Sequence, residues 1–178
     1  MATHHRWALA AVAVAGVSVL SVQQTGALWS DSASLDGTTI TAGSLGIEVG
    51  ASGATSSAYT FVDLTGPNMM SGDYVQHPLH VLNTGTEAMQ YRLESATLDA
   101  DLPLQLQVTA VSSEAECPAS GDGVGDDLYS GSLTDATTSY RALSSGASEI
   151  LCFRVTMGEN PTAGEQGTAA FTFQGTQS

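Results

Sequence analysis

The chain has 178 residues, with 18 acidic residues against 4 Lys and Arg, for a formal net charge of −14 at pH 7. All four basic residues are arginine, and that balance excludes a nucleic-acid partner, because phosphate neutralisation needs clustered Lys and Arg. Charged residues make up only 12% of the chain, so the polar surface must be mostly Ser, Thr, Gly, Gln and Asn, which suits an exported β-protein better than a helical cytosolic enzyme.

His4-His5-Arg6 forms a short basic start. Trp7 to Val22 follows as a nearly unbroken run of Ala, Val, Leu, Gly and Ser, about 16 residues. A spanning helix needs roughly 18 to 20 residues, so this run fits the apolar helix of a signal peptide. Thr25-Gly26-Ala27 offers small residues at positions −3 and −1, which places cleavage between Ala27 and Leu28. The alternative is an uncleaved anchor. Cleavage would remove residues 1–27 and leave residues 28–178 as a single domain of 151 residues. A domain of that size buries about 70% of its unfolded surface. It would keep Arg92, Arg141 and Arg154 against all 18 acids, a balance of −15. No cysteine sits at the junction and no second apolar span follows, so no stable membrane anchor is expected after the cut.

Strand patterns dominate the remainder. Leu45, Ile47 and Val49 alternate with Gly46 and Glu48. Residues 59–64, rich in aromatic and β-branched side chains, read as a further strand, and Val75, Leu79 and Val81 share one face of the next. Tyr91-Arg92-Leu93-Glu94 opens another. Leu102, Leu104, Leu106 and Val108 alternate with polar or proline positions, as do Leu151, Phe153, Val155 and Met157, and then Ala169, Phe171 and Phe173. A period of two marks half-buried strands. Gly66-Pro67-Asn68, Gly72-Asp73, Asn83-Thr84-Gly85 and Asn160-Pro161 punctuate them as turns. Seven to nine short strands at this spacing predict an all-β fold, an antiparallel sandwich preceded by the signal helix. A weak helical pattern covers residues 133–143.

The longest irregular stretch, Ser112 to Asp127, is acidic and glycine-rich. Asp122, Asp126 and Asp127 are candidate Ca²⁺ ligands there, but the Asp-x-Asp-x-Asp register of an EF-hand loop is missing. A solvated acidic loop tethered by Cys117 is the favoured reading. Cys117 and Cys152 suit a disulfide in an exported protein, with two independent thiols as the alternative. Nothing points to an enzyme. His77 and His80 are three apart, so on a strand their imidazoles diverge. No zinc signature, phosphate loop or dinucleotide fingerprint is present, so no catalytic residue and no cofactor is assigned. Gly72 and Gly85 are suited to positive φ, and Asp73 and Asn83 to bonding nearby backbone, so all four read as architectural turn residues.

Three blocks together resemble the TasA/camelysin family of exported bacterial proteins processed by SipW-type signal peptidases. The first is Gly26-Ala27-Leu28-Trp29-Ser30-Asp31 with Ile40-Thr41-Ala42-Gly43-Ser44-Leu45-Gly46-Ile47. The second is Leu64 through Met70-Ser71-Gly72-Asp73, where Ser71 replaces the family's proline. The third is Val81-Leu82-Asn83-Thr84-Gly85-Thr86. The resemblance covers roughly the first 100 residues well. It implies a jelly-roll-like sandwich, cleavage by a SipW-type peptidase, and, for the TasA branch, self-association into extracellular biofilm-matrix fibres. There the freed N-terminal segment of one subunit adds as a strand to the next. Residues 28–37 correspond to that segment here, with Leu28, Trp29 and Leu35 as anchors. The camelysin branch is associated with metalloprotease activity, which is not carried over because no plausible zinc set exists.

The expectation is therefore a secreted structural subunit or accessory of a fibre; a monomeric surface-binding module using loops such as 112–127 is the alternative, and a camelysin-type protease a third, remote one. Whatever its partners, self-repulsion at this charge must be screened by salt. Raising NaCl from about 0.05 to about 1 M should raise the melting temperature by several degrees, measured by circular dichroism.

Overall fold

The computed structural model describes residues 42–61 and 66–177. The predicted signal helix and the segment 28–37 lie outside the described residues. Gly43–Ser178 form one compact unit.

Nine strands are present among the described residues: β1 (Ile47–Ala51), β2 (Ala54–Ser56), β3 (Tyr74–Asn83), β4 (Met89–Leu98), β5 (Leu104–Val111), β6 (Asp126–Ser132), β7 (Arg141–Leu143), β8 (Ser148–Met157) and β9 (Ala169–Gln177). All pairings are antiparallel. One sheet runs β2-β1-β3-β8-β5-β6 and the other β7-β4-β9. The connections β3–β4, β4–β5, β6–β7, β7–β8 and β8–β9 each pass from one sheet to the other, so the chain rolls up in jelly-roll fashion.

The core lies between the sheets and follows from the period of two. Leu79 and Val81 of β3, Leu106 and Val108 of β5, and Leu151, Phe153 and Val155 of β8 point inward from the larger sheet. Met89, Tyr91, Leu93 and Ala96 of β4 answer from the smaller one. Phe153 is the centre: its ring meets Phe61 at 5.9 Å, Phe171 at 5.1 Å and Phe173 at 6.4 Å, in tilted or edge-to-face geometry. Such aromatic pairs add about 0.5–1.5 kcal/mol each beyond their burial.

Three sequence readings are corrected. Residues 133–143 hold a three-residue 3-10 turn, Leu133–Asp135, and then β7, rather than a helix. The cause is β4. The Leu93 N–H donates to Thr138 Oγ1 at 3.0 Å, and the Thr138 N–H donates to the Leu93 carbonyl at 3.0 Å, which holds this stretch extended beside the bulge at Leu93/Ser95. Residues 59–61 are not in a strand; Tyr59 and Phe61 pack on the core instead, and the rest of the 59–64 reading, from Val62 on, lies outside the described residues. Asp126 and Asp127 are not loop residues but open the edge strand β6.

Asn83 joins the elements at one end. Its side chain is fully buried, its Oδ1 accepts from the Gly85 N–H at 2.9 Å, and its Nδ2 donates to the carbonyls of Glu87 at 2.9 Å and Leu143 at 3.0 Å. Replacing it with Ala strands three backbone groups without partners, so Asn83→Ala should cost about 2–4 kcal/mol by urea denaturation. Asn83→Asp should cost a similar amount, because a carboxylate cannot donate to those carbonyls.

Candidate functional site

Ala27, Leu28, Trp29 and Leu35, the predicted cut and assembly anchors, lie outside the described residues. The remaining predicted positions fall into two places, the outer face of the larger sheet and the turns at its ends; a third cluster, between the sheets, was not foreseen from the sequence.

On the outer face, register sets Tyr74, Gln76, Pro78 and His80 of β3 beside Ile150, Cys152 and Arg154 of β8, with Gln107, Thr109 and Val111 of β5 next to them. The stretch after Val111 folds back across this surface rather than projecting into solvent. Cys117 and Cys152 are joined by a disulfide, and both are buried with Val111 in a second small core against Ile150. Closing a loop of 35 residues stabilises the fold by about 4 kcal/mol in the chain-entropy model. Polar contacts fix the rest. Gln76 Nε2 donates to the Pro118 carbonyl at 2.6 Å, and the Gly121 N–H donates to Tyr74 Oη at 2.7 Å. Arg154 lies 3.8 Å over the Tyr74 ring and donates to Asp122 at 2.6 Å. His80 Nε2 meets Glu114 at 2.8 Å, whereas His77 sits on the opposite face with its ring edge-on to Phe61.

The three aspartates considered for Ca²⁺ are thus separated in use. Asp122 is held by Arg154, and Asp127 accepts from Gln107 Nε2 at 2.9 Å and Thr109 Oγ1 at 3.2 Å, while Asp126 is exposed. Among the described residues no three His, Cys, Asp or Glu side chains gather as a metal-binding group.

The turn residues divide. Gly72 has φ +87°, where a side chain would be strained, and its N–H donates to the Met157 carbonyl at 2.9 Å. Asp73 closes that turn, its carboxylate accepting from the Met70 N–H at 2.8 Å. Gly85 does not take positive φ, contrary to the sequence reading. Its constraint is contact: a Cβ there would lie 2.4 Å from the Ser44 carbonyl oxygen. The entering chain presses on this residue, and the Thr84 and Thr86 N–H groups donate to Gly46 and Ser44 on either side of it.

The cluster that was missed is Tyr91, Arg141 and Glu149. Arg141 of β7 and Tyr91 of β4 both donate to the Glu149 carboxylate of β8, so the contact crosses the core from one sheet to the other; the Arg141 Nε distances are 3.0 and 2.9 Å. Burial by itself would raise the Glu149 carboxyl, but hydrogen bonds from Arg141 and Tyr91 and the Arg141 charge outweigh it and hold the carboxyl below its usual range. Burial first, then the bond to Glu149, pushes the Tyr91 phenol well above its ordinary value. A signal existed. Glu149 falls in phase with Leu151, Phe153 and Val155, so a carboxylate was placed on an inward face. Its partners, 58 and 8 residues away in sequence, could not be read from that phase.

No family model matches the chain, and neither a curated protein nor a solved structure matches it.

The cluster has a defined pH signature. Because the folded Glu149 value is lowered, its stabilisation is present above the ordinary carboxylate range near about 4.3 and is lost as pH falls through the folded value. Because the folded Tyr91 value is raised, its contribution is present below about 10 and is lost as pH rises beyond it. Glu149→Gln should cost about 2–3 kcal/mol at neutral pH and flatten the acid limb of a stability–pH profile. An unchanged acid limb would assign that limb to other carboxylates.

Proposed function

We propose that this protein is an exported structural subunit, forming or decorating an extracellular fibre or matrix, and that copies join by exchange of the N-terminal strand 28–37. The observation that carries this reading is an all-β sandwich whose sheets end, among the described residues, in strands paired on one side only, the kind of edge to which an extended segment can add. The first described backbone anchor of the entering chain is Ser44, whose N–H donates to Thr86 Oγ1 at 2.9 Å. A peptidase cut at Ala27–Leu28 would make residues 28–37 the start of the exported chain, upstream of that anchor. Addition of an extended arm to a sheet edge gives affinity through backbone hydrogen bonds. The Cys117–Cys152 disulfide suits an oxidising compartment outside the cytosol.

Deleting residues 28–37 from the exported protein should abolish fibres in negative-stain images while leaving its circular dichroism and disulfide intact. Fibres of normal length from that deletion would sink the proposal. N-terminal sequencing of the secreted wild type should read Leu28 first.

A further inference from the structure

Among the described residues each sheet has two edges, and the four differ in how they are protected. β2 and β7 have only three residues each. β6 opens with Asp126-Asp127, and its register with β5 is broken between Val108 and Thr109. Short strands, charges and irregular register are the devices by which sheets avoid edge-to-edge pairing. β9 is neither short nor charged, and the register shift it shares with β4, opposite Phe173 and Thr172, comes from the extra residue Glu94 on β4 rather than from a bulge in β9 itself. It is nine residues long, Ala-Ala-Phe-Thr-Phe-Gln-Gly-Thr-Gln, without a charge or a proline. It pairs with β4 on one side only, so alternate residues turn N–H and C=O groups away from β4 with no partner among the described residues. In a chain with a net charge of −14, this is an uncharged edge.

The side chains along it are also incompletely covered. Phe171 and Phe173 face the core and touch Phe153, yet both remain only half-buried, unlike Leu93 and Phe153. At Gly175 the missing side chain leaves a cleft of about 150 Å³ lined by Leu45, Gly46, Ile47 and Met89.

We infer that β9 is a contact between two copies of this chain, paired antiparallel about a two-fold axis at Phe173, so that the two three-stranded sheets become one of six. The sequence is self-complementary in that register. Phe173 meets Phe173 of the second copy, Thr172 faces its Gln174, and Phe171 faces its Gly175, beside the open cleft. Inward rings then cover one another, outward polar side chains pair, and no like charges are opposed, the arrangement that favours cross-strand pairs. The charge pattern selects a second β9 as the occupant over the N-terminal arm: residues 28–37 would bring Asp31 and Asp36 to the edge, and β9 brings none. This goes beyond the exchange of residues 28–37 and does not depend on it.

Sedimentation velocity on the exported protein over a range of concentrations tests the pairing. A concentration-dependent dimer is expected. Thr172→Lys, at an exposed outward position, should weaken it at least about tenfold by setting two like charges diagonally across the axis, while Thr172→Val should retain it. The dimer should persist after deletion of residues 28–37, whether or not that deletion removes fibres, so the two proposals fail separately. A monomer at every concentration, a dimer indifferent to Thr172→Lys in a variant with unchanged melting temperature, or a dimer lost on deleting residues 28–37 would each overturn the inference.

Discussion

The end of the sandwich at which the chain enters is organised by one buried amide. Every polar group of Asn83 is used. Its backbone N–H donates to Ala147 and its carbonyl accepts from Gly146, while its side chain holds Gly85, Glu87 and Leu143. The turn after β3 and the turn before β8 are thereby fixed to each other. Gly85 and its two threonine neighbours in turn receive the chain entering β1. No apolar side chain could replace it, because the stranded backbone groups would each carry a desolvation cost of about 1–3 kcal/mol. Burial of the core around Phe153 is largely non-directional, whereas the amide decides which loops meet.

The two faces of the larger sheet show how one alternation rule can produce two cores. Inward residues of β3, β5 and β8 meet the smaller sheet. Outward residues would ordinarily be solvated, and β8 carries Cys152 and Arg154 there. The disulfide brings the 112–125 stretch down onto that face, and Cys152 is as buried as Leu151 next to it. The cation over Tyr74 and the bond to Asp122 then use two otherwise solvent-facing groups to hold the cover in place.

The long strands were legible because they separate a wet face from a dry one: β5 and β8 alternate, and so does β9. The elements that escaped are those for which that contrast is absent. β6 is an edge strand beginning with two aspartates, so its pairing is stated by backbone and not by side-chain pattern. β7 has three residues, too few for any period. The 59–64 segment carried the right residue types for a strand, yet Tyr59 and Phe61 serve as aromatic plugs, a role in which composition looks the same. At the candidate site, Asn83 and Asp73 could be read from turn chemistry because Gly85, Glu87 and Met70 are local partners, whereas the Asn83 bond to Leu143 could not be. Gly85 was assigned the wrong constraint because its neighbour, Ser44, is distant in sequence. The Tyr91–Glu149 contact across the sheets, 58 residues apart, was hidden for the same reason.

The covalent bond has a topological consequence. The disulfide encloses residues 117–152, and that ring contains all of β6 and β7 and the connections around them. A single break of the backbone anywhere inside the ring therefore opens it without releasing a fragment: both pieces stay attached through the two sulfurs. The exposed acidic stretch around Val124 and the threonine-rich stretch before β7 both lie inside. Two irregular segments among the described residues therefore sit where one cut leaves the chain in one piece.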